Sequence, residues 1–82
     1  MTDKVEVKAP IAGVFYRRPS PDSDCYVEVG QTVKVKQVLA LLETMKVFQK
    51  IKSPVEGEIA EIRVESEQAV SMGDVLIVIV PI

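Results

Sequence analysis

The chain has 82 residues, 48% of them hydrophobic, with ten basic against twelve acidic side chains and a formal charge of −2; this allows one small core over residues 1–82 and no large enzyme cleft. The basic residues are scattered and form no stripe that would neutralise phosphates, so nucleic acid is not an expected partner. The longest strongly apolar run, Val75 to Val80, falls far short of the ~20 residues a helix needs to cross a bilayer. Histidine is absent and Cys25 is the only cysteine, which excludes an internal disulfide and a multi-cysteine metal site.

Met1-Thr-Asp-Lys begins no signal peptide, so a cytoplasmic location is expected and no membrane partner. The chain then reads as short apolar segments punctuated by Pro, Gly or polar turns, the pattern of an antiparallel all-β domain. Val5 to Lys8 and Gly13 to Tyr16 are the first clear strands. After them comes "FYRRPSPDSDCY", Phe15 to Tyr26. Pro19 and Pro21 fix φ and cannot donate to a strand ladder, and Asp22 suits the following turn, so this stretch is expected to be a polar, stiffened excursion. Cys25 is expected to be a small, partly buried side chain. Arg17 and Arg18 either attract a partner or are isolated surface charge.

The segment Val38 to Lys52 is locally ambiguous. Val38, Leu41, Leu42, Met45, Phe48 and Ile51 fall at helical spacings, and Ala, Leu, Glu, Met and Lys are good helix formers. Beyond it, Gly57 to Arg63 and Val75 to Val80 read as strands, the last rich in β-branched residues that suit a pleated surface. Gly13, Gly30, Gly57 and Gly73 are expected to serve turns or bulges, since none opens a glycine-rich phosphate loop. Glu43 and Glu56 are expected to be solvated charges, not an acid–base pair.

An internal repeat weighs against the helix, which stays the alternative for this segment. "KAPIAGVF" lies over "KSPVEGEI" at a shift of 44 positions, and "VEVGQTVKVKQVLALL" lies over "VESEQAVSMGDVLIVI" at a shift of 37. The difference, seven residues, falls between Val14 and Val27 in the first half. Residues 38–42 lie over Val75 to Ile79, a segment of strong strand preference, and equivalent segments of a repeat share a conformation. The expected fold is therefore a flattened antiparallel β-barrel or sandwich of two quasi-symmetric halves, about four strands each.

On this reading the two halves meet at Met45-Lys46, with almost no room for a loop. Tight two-residue hairpins want positive φ and hence Asn-Gly or a similar pair; a residue with a Cβ loses roughly 1 kcal/mol there. A departure from local preference at an exposed tip points to function. An ordinary lysine is almost wholly protonated at pH 7 and is a weak nucleophile, so Lys46 is read as an accessible acceptor that another enzyme acylates. Met45 is either a recognition handle or a space filler.

With these residues in place, the chain resembles a biotinyl domain of the biotin carboxyl carrier family. The resemblance runs from "VKAPIAGVFYRRPSPD" through "YVEVGQTV" and "ETMK" to "SPVEGEI" and "GDVLIVI". That family carries Ala/Val-Met-Lys-Met at the tip of a hairpin joining two halves. The resemblance implies biotin on Lys46, with Met45 beside it for ligase recognition and Thr44 and Val47 flanking the site. It also implies a thumb, similar to that of acetyl-CoA carboxylase carriers, which includes Arg18, Pro19, Ser20, Pro21 and Asp22. The implied role is a non-catalytic carrier with three partners: biotin protein ligase, biotin carboxylase and carboxyltransferase. Thr44 and Val47 depart from the biotin pattern toward the related lipoyl domains, which carry Glu-Thr/Ser-Asp-Lys-Ala/Val. A lipoyl carrier and an unmodified β-rich interaction module are the alternatives.

Overall fold

The computed structural model describes residues 4–20 and 22–82. Eight strands follow in order: β1 Val5–Lys8, β2 Gly13–Tyr16, β3 Thr32–Val33, β4 Val38–Thr44, β5 Val47–Lys52, β6 Gly57–Ile62, β7 Gln68–Val70 and β8 Val75–Pro81. They build two antiparallel four-stranded sheets, ordered β1-β8-β6-β3 and β5-β4-β2-β7. Advancing each strand of the first list by four places, cyclically, produces the second. The sequence repeat is thus a rotation in space, and each sheet takes two strands from each half. Four of the six strand pairings join one half to the other, so neither half could complete its sheets alone.

No helix occurs among the described residues. The helical spacing in Val38 to Lys52 fails because its apolar residues do not share one face: Leu42 is fully buried and Ile51 nearly so, whereas Met45 is 92% exposed and Phe48 53% exposed. Residues 38–52 instead fold back on themselves, β4 pairing with β5 from Val38↔Lys52 to Thr44↔Val47.

The core lies between the sheets and is filled by Phe15, Leu39, Leu42, Ile59, Leu76, Ile77 and Ile79, each 1% exposed or less. A molecule 19 Å across in its thinnest direction has room for two sheets about 10 Å apart and one layer of side chains on each outer face. Repeat-related glycines allow the strands to approach. A Cβ on Gly13 would sit 2.5 Å from the Glu43 carbonyl oxygen, and one on Gly57 would collide with the Val80 carbonyl oxygen.

The turns repeat as faithfully as the strands. Gln31 accepts the Glu28 amide at 3.1 Å and Gln68 the Glu65 amide at 3.0 Å. In the next turn Gln37 accepts the Lys34 amide at 3.0 Å and Asp74 the Ser71 amide at 2.8 Å. Each pair of equivalent turns needs a left-handed residue, and each pair supplies it with one glycine and one larger residue: Gly30 (φ 93°) with Glu67 (71°), and Gly73 (90°) with Lys36 (71°).

Candidate functional site at the β4–β5 tip

Thr44 pairs with Val47, so Met45 and Lys46 are the two central residues of the hairpin turn. Both have positive φ, 51° and 65°, as a type I′ turn demands. Neither is a residue such a turn selects. The left-handed region costs each side chain roughly 1–2 kcal/mol, and the six paired positions of β4 and β5 hold the turn against that cost. Met45, at 92%, is the most exposed large apolar side chain among the described residues. Lys46 is exposed, Val47 is 64% exposed and Thr44 half-buried. Among the described residues no carboxylate forms an ion pair with Lys46.

Three side chains gather beneath the tip on the outer face of the β5-β4-β2-β7 sheet. Register explains this, since Glu43 lies opposite Phe48 on one side and Val14 on the other. One residue beyond Val14 and Phe15, Tyr16 points back to the same face. Its hydroxyl donates to Glu43 Oε1 at 2.9 Å. The Tyr16 and Phe48 rings pack with centroids 5.8 Å apart at 55°, a tilted arrangement favoured by aromatic quadrupoles. The hydrogen bond to Glu43 holds the Tyr16 phenol above its ordinary value of 10.0, with partial burial and the negative charges of Glu43 and Glu67 adding to the shift. Glu43 is thus not the solvated charge expected from sequence.

Alongside these rings lies a cavity of about 210 Å³, lined by Tyr16, Arg18, Pro19, Ser20, Phe48, Ser66 and Glu67. It sits between the hairpin and the start of the excursion anticipated as a thumb. Arg18, Pro19 and Ser20 form one wall. Asp22 is exposed and does not line the cavity, and Pro21 lies outside the described residues. The excursion is closed at its base by the Tyr26 amide donating to the Arg17 carbonyl at 2.8 Å, and turns where the Ser23 amide donates to the Ser20 carbonyl at 3.1 Å. Cys25 is half-buried there.

Arg17 and Arg18 differ. Arg17 is tied down: its guanidinium donates to the Val27 carbonyl at 3.2 Å and pairs with Glu28 at 3.3 Å, while its amide donates to Ser66 Oγ at 3.1 Å. Arg18 is exposed on the cavity wall. Sequence reasoning therefore located the tip and one wall of the cavity, and missed Tyr16, Phe48, Ser66 and Glu67. A signal for two of them exists. Tyr16 and Phe48 break the repeat, as Glu43 does.

Chemically the tip offers an amine and nothing to activate it. An acyl group joined to Lys46 Nζ would displace no contact among the described residues, and the amine would lose its charge. A head group the size of a small bicycle fits the volume of the adjacent cavity, so the residues present suit a tethered ring.

Comparison with known proteins agrees with this geometry. A family model described as biotin-requiring enzyme, the biotin/lipoyl attachment model, matches residues 5–79. The chain is 41% identical over 73 residues to the biotin carboxyl carrier protein of acetyl-CoA carboxylase from Haemophilus influenzae, covering 89% of this chain and 47% of that protein. It is 43% identical over 74 residues to the corresponding protein of Pseudomonas aeruginosa, covering 90% and 47%. To the chloroplastic protein of Glycine max it is 41% identical over 75 residues, covering 92% and 29%. The chain thus spans less than half the length of these relatives. Among solved structures it resembles part of a single-chain, multi-domain long-chain acyl-CoA carboxylase, with a TM-score of 0.82 over 96% of this chain and 7% of that one; at 22% identity this likeness concerns the fold.

Proposed function

The chain belongs to the biotin/lipoyl attachment family, and on that premise we propose that it is the biotin-bearing carrier domain of an acetyl-CoA carboxylase, with biotin joined by an amide to Lys46 Nζ. The observation that carries this reading is the two-residue turn: Lys46 at φ 65° beside a Met45 that is 92% exposed. A turn made of the wrong residues, held open at an extremity by a full ladder, is explained by what the lysine must do there.

Biotin, when bound, supplies a group that accepts and gives up a carboxyl unit. The protein supplies delivery. The β4–β5 ladder is paired up to Thr44–Val47, and the flexible lysyl stem begins beyond it, so the arm can move on a braced scaffold. Tethering turns a dilute encounter between cofactor and enzyme into one at high effective concentration. Lys46 takes part in no acid–base step, and the domain is non-catalytic. Its partners in this reading are a biotin protein ligase that recognises Met45 beside Lys46, then biotin carboxylase and carboxyltransferase. The setting is cytoplasmic and the pathway fatty acid synthesis.

Thr44 and Val47, which match the lipoyl pattern, favour a lipoyl carrier as the second reading. Intact-mass spectrometry of the chain expressed with an active biotin ligase, alongside Lys46→Arg, separates the two. One biotin on the parent and none on the variant is the expected result. A lipoyl mass, no adduct, or labelling that survives Lys46→Arg overturns it.

A further inference from the structure

The internal repeat provides a comparison that few small domains offer: Tyr16, Glu43 and Phe48, which lie beneath the attachment turn, each have a counterpart in the other half. Tyr16 lies opposite Leu41, and the residue opposite the equivalent Val78 is Glu61, because the second ladder shifts register between Ile59 and Glu61; Glu43, at a shift of 37, corresponds to Val80, and Phe48, at a shift of 44, to Lys4. Before that shift the register is preserved, Val14↔Glu43 answering to Glu58↔Val80 and Phe15↔Leu42 to Ile59↔Ile79. The Gly13 and Gly57 contacts with the facing carbonyls are preserved too. The fold is therefore built there without an aromatic ring at any of the three places, and its one carboxylate, Glu61, pairs with Arg63 of the next segment at 3.4 Å rather than with a side chain at the other two. At the attachment end all three positions change together and join: hydroxyl to carboxylate at 2.9 Å, ring to ring at 5.8 Å.

We propose that Tyr16 is a positioning residue for the modification of Lys46. It ties the end of β2, where the thumb begins, to Glu43 on β4 and Phe48 on β5, and so holds the attachment hairpin in one orientation. Glu43 and Phe48 stand three positions before and two after Lys46, so the brace grips both strands of the hairpin just below its turn. The turn needs such support because both of its residues occupy a strained region. A hairpin that leaves this arrangement part of the time presents its lysine correctly only part of the time, and its apparent affinity for a modifying enzyme falls by that fraction. This inference rests on the carrier reading for the identity of that enzyme, whereas the brace itself does not.

The test compares Tyr16→Phe, which keeps the ring and removes the hydroxyl, with the parent. Two quantities are read: amide hydrogen exchange at Thr44 to Phe48 in the unmodified domain, and steady-state labelling by a biotin ligase with the domain as varied substrate. Loss of one such hydrogen bond is expected to raise exchange by about two- to tenfold and KM by a smaller factor, with kcat unchanged. Glu43→Gln, whose amide oxygen still accepts the hydroxyl proton, keeps the parent's exchange rates, and Glu43→Ala matches Tyr16→Phe. Tyr26→Phe, which removes the other phenolic hydroxyl, changes neither quantity. Parental exchange in Tyr16→Phe, or raised exchange with an unchanged KM, overturns the proposal. A parent that takes no biotin overturns the carrier reading and the ligase half of this inference, while the exchange measurement still decides the brace.

Discussion

Replacing Met45 by asparagine separates what the tip costs the fold from what it does for function. Met45 is 92% exposed with φ 51°, so the substitution removes almost no packing and acts through the backbone. A residue with an ordinary Cβ loses roughly 1–2 kcal/mol in the left-handed region, whereas asparagine visits it readily. Recovering about half of that penalty makes Met45→Asn more stable than the parent by about 0.5–1 kcal/mol. For a domain of this size that raises the Tm by about 2–8 °C. Urea denaturation is the assay, and the slope must stay constant for the comparison to hold, since the exposed surface is unchanged. Labelling by biotin ligase should fall in the same variant, because the apolar handle beside Lys46 is gone. Greater stability with weaker labelling is the pattern of a site that sacrifices fold preference for use. Met45→Asn less stable than the parent, at constant slope, refutes the reasoning about turn strain. Unchanged labelling refutes the assignment of Met45 as a recognised residue.

Gly57→Ala puts a Cβ against the Val80 carbonyl oxygen and 2.7 Å from the Ile79 side chain, inside a ladder that cannot withdraw. A loss of about 3 kcal/mol or more in urea unfolding is expected, and a loss below about 1 kcal/mol contradicts the close approach of β6 and β8. Lys36→Gly relaxes φ 71° at the counterpart of Gly73 and should stabilise by about 0.5–1 kcal/mol, the left-handed penalty less the extra entropy of an unfolded glycine; Gly73→Ala, with open space around the new Cβ, should destabilise by a similar amount. In a Tyr26→Phe background, ultraviolet titration should show the Tyr16 phenol ionising above its ordinary 10.0, with Glu43→Gln bringing it down. Since the folded value lies above the unfolded one, this interaction contributes in full below pH ~10 and is lost as the pH climbs through the folded value.

The repeat makes most of the architecture legible in the sequence itself. Because Val38 to Leu42 lies over Val75 to Ile79, a stretch with helical spacing could be assigned to a strand, and β4 and β8 occupy equivalent places in the two sheets. The seven extra residues fall in the excursion that walls the cavity. What remained hidden was the interlocking of the halves, since a repeat shows that two units are alike without showing which strand pairs with which. The left-handed residues were half visible: glycines at 30 and 73 announce themselves, while their counterparts Glu67 and Lys36 look like ordinary surface charge. Tyr16 and Glu43 are 27 positions apart, and only the β2–β4 register brings them together. Glu43 read alone is a solvated carboxylate. In the sheet it is a hydrogen-bond acceptor beneath the attachment turn.

The most direct test of the account is to incubate the purified chain with biotin ligase, ATP and biotin and to map the product by peptide fragmentation across its seven lysines. A single amide on residue 46, with the other six amines untouched, is the outcome the geometry requires. Biotin spread over several lysines, or confined to a different one, contradicts it.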